Sequence, residues 1–170
     1  SLSDGGVYKS IDNGDNWTDL STGLGIRQFY RIANSKTNAT VITGGAQDNG
    51  SVARQASGTW VDWLGADGME GLVSPTNHLN LWGTSQNGSI YRSTNGGNSY
   101  NGLPKPSPGQ WVTPLAIHPT NETILYGGWT GVYKSTNSGL AWTNISAGVI
   151  TVTLADLAVA PSNPNYIYAS

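Results

Sequence analysis

The chain has 170 residues, among them 23 Gly, 7 Trp and 8 Tyr, and only 11% of it is charged, far below the usual quarter. A net charge of −2 offers no basic footprint for nucleic acid or an anionic membrane. The absence of cysteine excludes disulfides and thiolate metal sites, and no apolar run approaches the ~20 residues of a membrane-spanning helix. Polarity comes from Ser, Thr and Asn instead, as expected of an exported, turn-rich β protein. No signal peptide is visible; the chain opens inside a repeat, so its natural start is expected to lie upstream. Triplets such as Asn121-Glu122-Thr123 read as turn punctuation rather than as glycosylation sites.

The first predicted element is Val7-Tyr8-Lys9, an alternating run that enters a tight turn. The turn is written by Ser10, Asp12, Gly14 and Trp17. The Asx side chain bonds backbone N–H groups ahead of it, Gly takes positive φ, and the aromatic opens the return strand as an apolar anchor. A hairpin is thus expected over 5–21. Next comes 29–64, where Ile32 to Asn38 leads to a strand from Val41 to Gly45, and Ser51 to Arg54 pairs with Thr59 to Trp63 around the turn Gln55-Ala56-Ser57-Gly58. The unit 69–103 repeats the scheme with Leu72-Val73-Ser74-Pro75-Thr76-Asn77, a strand from Leu79 to Thr84, Ile90-Tyr91-Arg92, and a second octet of Ser93, Asn95, Gly97 and Tyr100. Over 113–146 the same order returns: Ala116 to Asn121, Ile124 to Gly128, Val132-Tyr133-Lys134, then Ser135, Asn137, Gly139 and Trp142. The last unit, 154–170, holds only Ala158 to Asn163 and Tyr166 to Ser170.

The octets lie 83 and then 42 residues apart, so one unit, 29–64, stands between the first two without an octet. A repeat of about 42 residues carrying four short strands is the pattern of a β-propeller blade. The expected fold is therefore all-β: a single propeller segment of four-stranded antiparallel blades, with three whole blades (29–64, 69–103, 113–146), an outer half-blade (5–21) and an inner half-blade (154–170). Either the two halves join and close a ring, or flanking blades of the same parent chain cover them. The second is favoured, because four blades is the lower limit for propellers and bare half-blades leave open edges.

The Ser-x-Asp/Asn-x-Gly-x-x-Trp/Tyr octets resemble those of the Asp-box, or BNR, repeat proteins, and the likeness extends over almost the whole chain. That group includes sialidases, sortilin-type receptor ectodomains, a photosystem assembly factor and twin-propeller glycoside hydrolases that cleave xyloglucan. The resemblance implies that the octets lie on the blade periphery as folding devices, and that ligands bind on the opposite face. By strand parity, that face carries the loops between strands 2 and 3 (Ser3-Asp4-Gly5, Gln47-Asp48-Asn49-Gly50, Gln86-Asn87-Gly88, Gly128-Trp129-Thr130). It also carries the links from strand 4 to the next blade (Gly23 to Gln28, Gly65 to Met69 including Asp67, Leu103 to Trp111, Gly148 to Thr153).

Candidate ligand contacts on that face are Gln47, Asn49, Asp67, Gln86, Asn87, Trp111 and Trp129. Trp129 reads equally as a sugar platform or as packing between blades. Trp17, Trp60 and Trp142 are expected in the core, with Trp63 and Trp82 packed within strands. Arg31, Glu70 and Asp156 occupy one position early in successive inner strands, with Pro114 at the fourth. Packed blade faces cannot accept unpaired charge, so these three are expected around a central channel, either pairing with one another or binding a polar ligand.

Asp48, in the blade without an octet, precedes Asn49-Gly50-Ser51-Val52-Ala53-Arg54. In the xyloglucan-hydrolysing enzymes a catalytic Asp stands in a similar setting, so the resemblance implies a catalytic role; read from the residues alone, Asp48 is an Asx cap on a glycine turn. Glycoside hydrolysis needs a second carboxylate across the sugar, which that family takes from its second propeller. Sialidase chemistry is rejected, because Arg54 and Arg92 fall on outer hairpins and leave only Arg27 and Arg31 near the ligand face. Asp12-Asn13-Gly14-Asp15-Asn16 reads as turn chemistry rather than calcium binding, and His78 and His118 lack metal-ligand partners, so no metal or cofactor is expected. The expected function is secreted or cell-surface binding of a polymer, foremost a glycan, either by itself or within a glycoside hydrolase, with no catalysis expected of this segment alone. A protein-binding scaffold or a structural blade array of an adhesin are the alternatives, with no nucleic-acid partner and no membrane span.

Overall fold

The computed structural model describes residues 2–3, 6–23 and 27–170. The expected loop at Asp4 and Gly5 and the centre of the Gly23-to-Gln28 link lie outside the described residues. The chain forms consecutive antiparallel sheets with no crossover between them. The first holds β1 (Leu2–Ser3), β2 (Gly6–Lys9) and β3 (Thr18–Asp19), one strand more than the expected half-blade. Three four-stranded sheets follow. They are β4 (Phe29–Asn34), β5 (Ile42–Ala46), β6 (Gly50–Arg54) and β7 (Trp60–Leu64); β8 (Gly71–Val73), β9 (Leu81–Ser85), β10 (Ser89–Ser93) and β11 (Asn101–Leu103); and β12 (Leu115–Ile117), β13 (Leu125–Trp129), β14 (Gly131–Ser135) and β15 (Thr143–Asn144). The chain ends in the pair β16 (Leu157–Val159) and β17 (Ile167–Ala169).

The three octets fold into one hydrogen-bond network. The Ser10, Ser93 and Ser135 hydroxyls donate to Asp12, Asn95 and Asn137 at 2.7, 3.0 and 2.9 Å, and accept the Gly14, Gly97 and Gly139 amides at 2.8, 2.9 and 2.9 Å. The Asx Oδ1 then accepts the N–H four residues on, from Asn16, Ser99 and Ala141. Each turn needs two successive residues at positive φ, Asn13-Gly14, Gly96-Gly97 and Ser138-Gly139, with φ of 102°, 91° and 93° at the second. That requirement explains the fixed glycine. Asp12 is held to a pKa of about 2, first by the Asn16 side-chain amide, then by the Asn16 N–H and the Ser10 hydroxyl, so the turn itself uses its carboxylate. Ser135 is fully buried; Ser135→Ala leaves the Gly139 N–H without its acceptor and is expected to cost about 1–3 kcal/mol. A urea unfolding midpoint unchanged from the parent would contradict this.

The core is a series of layers between sheets. Val41, Ala53, Trp63 and Leu64 meet Val73 and Leu81; Ile90 meets Leu115 and Trp129; Tyr126 and Val132 meet Leu154 and Leu157. Close approach is possible because the second strands carry glycine, and a Cβ on Gly83 would stand 2.9 Å from the Trp63 ring. Trp63 and Trp82 are buried as expected. Trp17 and Trp60 are 53% and 54% exposed, a correction to their expected place in the core: Trp17 just precedes the outer strand β3 and Trp60 opens the outer strand β7, where burial depends on what a neighbouring sheet supplies. Trp142 is partly buried, its ring centroid 4.8 Å from that of Trp129.

The first strands β4, β8, β12 and β16 pack each against the next. Two contacts bridge the inner ends of the second and fourth sheets, skipping the third: Lys36 Nζ donates to the Pro119 carbonyl at 3.3 Å, and Trp111 Nε1 donates to the Tyr30 hydroxyl at 3.4 Å.

Candidate functional site

On the face opposite the octets, the loops between strands 2 and 3 of the three four-stranded sheets are each tied to a link between sheets. The Asp48 N–H donates to Asp67 Oδ1 at 2.8 Å, and Gly50 N–H to the Ala66 carbonyl at 2.8 Å. In the next blade Asn87 N–H donates to Trp111 O, and Lys105 Nζ to Asn87 O, both at 3.3 Å. In the fourth sheet, Thr130 N–H donates to Ser107 Oγ at 3.1 Å. These ties build a braced loop face, which suits a binding surface on a rigid scaffold.

Asp48 is exposed at the tip of its loop, in left-handed backbone with φ of 55°. The Asn49 side-chain amide donates to Gln47 O at 2.9 Å, while Arg27 donates to Asn49 O at 2.7 Å and pairs with Asp62 at 2.6 Å. Asp67 is buried, and its carboxylate serves as the acceptor that holds the Asp48 backbone. Gln86 and Asn87 form the corresponding turn of the next blade, Asn87 with φ of 58°.

Arg31 and Glu70 come together at the inner strands, with Arg31 Nε 3.7 Å from Glu70 Oε2. The Glu70 side chain is 13% exposed against 48% for Arg31. Burial pushes the Glu70 pKa up to about 7; the Gly71 N–H and the Arg31 charge pull against that, and Asp156 adds to it. The structure thus gathers Arg31, Glu70 and Asp156 into one electrostatic group. Asp156 is itself exposed, its carboxylate accepting the Leu157 N–H at 2.9 Å.

Trp111 is 50% exposed, and its indole N–H donates to the hydroxyl of Tyr30, the residue before Arg31 in β4. Trp129 differs from its expected place in a loop. It ends β13 opposite Gly131, is fully buried, and donates its indole N–H to the Gly88 carbonyl at 3.0 Å. Packing between blades is therefore its place, and it is removed from the ligand face. Tyr30 is the site residue that sequence reasoning missed. It lies in the register shift between Phe29 and Arg31, a bulge that re-aims side chains and has no marker in the sequence.

Antiparallel four-stranded sheets, succeeding one another with their first strands packed side by side, define this chain as a β-propeller built of blades. No family model and no curated protein matches the sequence. Among solved structures it resembles the GH74 enzyme of Niastella koreensis, with a TM-score of 0.68 and 22% identity over 85% of this chain and 26% of that one. The GH74 xyloglucanase from Xanthomonas campestris gives a TM-score of 0.67 and 17% identity over 85% of this chain and 27% of that one. An ancestral GH74 enzyme gives 0.66 and 22% over 98% of this chain and 25% of that one. The chain thus spans about a quarter of the length of these enzymes, and the likeness is one of fold.

Proposed function

We propose that this chain is part of an exported, glycoside-hydrolase-like propeller protein whose loop face binds a polymeric glycan. The observation that carries the reading is the half-exposed Trp111 indole, held by the hydroxyl of Tyr30, whose neighbour in β4 is Arg31 of the Arg31–Glu70–Asp156 group. An indole face stacks on the apolar face of a sugar ring while nearby polar groups take its hydroxyls. The fold it shares with GH74 enzymes supports this reading. Asp48, raised on a braced loop, is the candidate acid or base. Its neighbour Asp67 is occupied by the Asp48 N–H, so a carboxylate across the sugar would come from another part of the parent protein.

A glycan array and affinity electrophoresis on neutral polysaccharides test this. Trp111→Ala is expected to weaken binding roughly tenfold, the equivalent of about 1.4 kcal/mol, with the unfolding midpoint little changed. Asp48→Asn is expected to bind nearly as the parent does and to abolish any turnover by the parent protein. No glycan binding, or binding indifferent to Trp111, would overturn the glycan reading; selection of peptides instead would identify a protein-binding scaffold.

A further inference from the structure

On the octet side, between the second and third sheets, lies a cleft of about 210 Å³. It exists because the second sheet has no octet. Its β6–β7 turn is short, closed by Gln55 N–H to Thr59 O at 2.8 Å and Gly58 N–H to Gln55 O at 2.9 Å. Gln55 Nε2 reaches across to Gly96 O and to Asn98 Oδ1, both at 3.0 Å, and so fastens the short turn to the neighbouring octet. Leu79, 44% exposed, and the exposed Ala56 give the cleft its apolar surface, above a floor of the buried Val41, Ala53 and Leu81.

Among the described residues Arg54 is the charged group on its rim, which it shares with the neutral Gln55, Asn95 and Asn98. Arg54 and His78 line it, and no carboxylate does so among the described residues. Arg54 is anchored through Nη1, which donates to Thr40 O at 3.1 Å. Among the described residues its other guanidinium nitrogens have no acceptor, nor does either ring nitrogen of His78 make a hydrogen bond. In a chain whose net charge is −2, a concave apolar surface edged by uncommitted donors and free of carboxylates is complementary to an anion with an apolar body.

We propose that this cleft is a second binding site, for a small organic carboxylate whose anionic group is held by Arg54 and His78 and whose apolar body lies against Leu79 and Ala56. The site is independent of the loop face and of any glycan bound there.

Titrating the 170-residue chain with benzoate, followed by amide chemical shifts, tests the proposal. Saturable shifts at Ala56, Ser57 and Gly96 are expected, with affinity for benzyl alcohol (same body, no charge) and acetate (same charge, no body) lower by roughly tenfold or more. Arg54→Gln is expected to weaken benzoate by a similar factor. Because Arg54 also holds Thr40, His78→Gln is the companion variant, with a several-fold loss expected and no hydrogen bond of the fold removed. Absence of saturation, shifts located elsewhere, equal affinity for benzyl alcohol, or full benzoate affinity in both variants would each overturn it.

Discussion

Trp129→Ala is expected to destabilise the chain by about 3–5 kcal/mol, the largest loss anticipated for any single truncation. The indole is fully buried, its centroid lies 4.8 Å from that of Trp142 and 6.0 Å from that of Tyr133, and both contacts are edge-on. Its N–H is the donor to Gly88 O, which links the fourth sheet to the β9–β10 turn of the third. Truncation therefore opens a cavity between two sheets and removes the donor that joins them. Trp129→Phe separates the two effects: it keeps most of the volume and leaves the Gly88 carbonyl unpaired, for an expected cost of about 1–3 kcal/mol. A typical domain is stable by only about 5–15 kcal/mol, so the Ala variant should unfold at a markedly lower urea concentration. Trp111→Ala, on the half-exposed indole, should move that midpoint by no more than about 0.5 kcal/mol. Equal midpoints for Trp129→Ala and Trp111→Ala would show that the division between core and face is wrong. A glycan-binding loss in Trp129→Ala should follow the fraction unfolded, whereas in Trp111→Ala it should persist in fully folded protein.

The two tryptophans show where sequence reasoning succeeded and where it stopped. Octet turns are legible because their chemistry is local: a Ser hydroxyl, an Asx oxygen and positive-φ glycines within a few residues determine the conformation. Their spacing then locates the sheets, including the one from Phe29 to Leu64 that lacks the motif. Trp129 was open to two readings because Gly127-Gly128-Trp129-Thr130-Gly131 has no residue that marks the end of the strand. In the fold β13 runs on to Trp129, with Thr130 alone between it and its partner Gly131. Exposure of Trp17 and Trp60 was hidden for a different reason, since an outer-strand aromatic is covered only by a neighbouring sheet. The grouping of Arg31, Glu70 and Asp156 follows from aligning the repeats. Tyr30 could not be found that way, because the bulge beside it breaks the alternation on which the alignment depends.

Glu70 supplies the second large expected effect, a stability that falls as pH rises from 4.5 to 7. Its carboxyl titrates near 7 in the folded chain, against an ordinary 4.5, chiefly because it is buried. Between those values the folded state keeps a proton that the unfolded chain has released. Stability from this group is therefore complete below about 4.5 and is lost as pH climbs through 7, by about 3 kcal/mol in total. Asp12 acts in the other direction. Its folded pKa of about 2 lies below the ordinary 3.8, so its contribution is present above 3.8 and disappears on acidification toward 2. Glu122 joins it on that side: the rise from burial is outweighed by hydrogen bonds from Ser74, Asn80 and Thr76 and by the Arg92 charge, leaving its pKa below the usual value. The urea midpoint should thus be highest between about pH 4 and 5 and decline toward pH 8. Glu70→Gln keeps the shape without the charge and is expected to flatten the decline, making the variant more stable than the parent at pH 8. Arg31→Leu should extend the decline above pH 7, because it removes a positive charge that favours the ionised form. A parent profile that is level from pH 4.5 to 8, or one whose slope survives in Glu70→Gln, would rule out this assignment. A buried carboxyl that lowers stability at neutral pH is costly to keep for structure alone, and groups shifted in this way cluster where ligands bind. Under the proposed reading, that cost falls on the polar group of the glycan site, Arg31, Glu70 and Asp156.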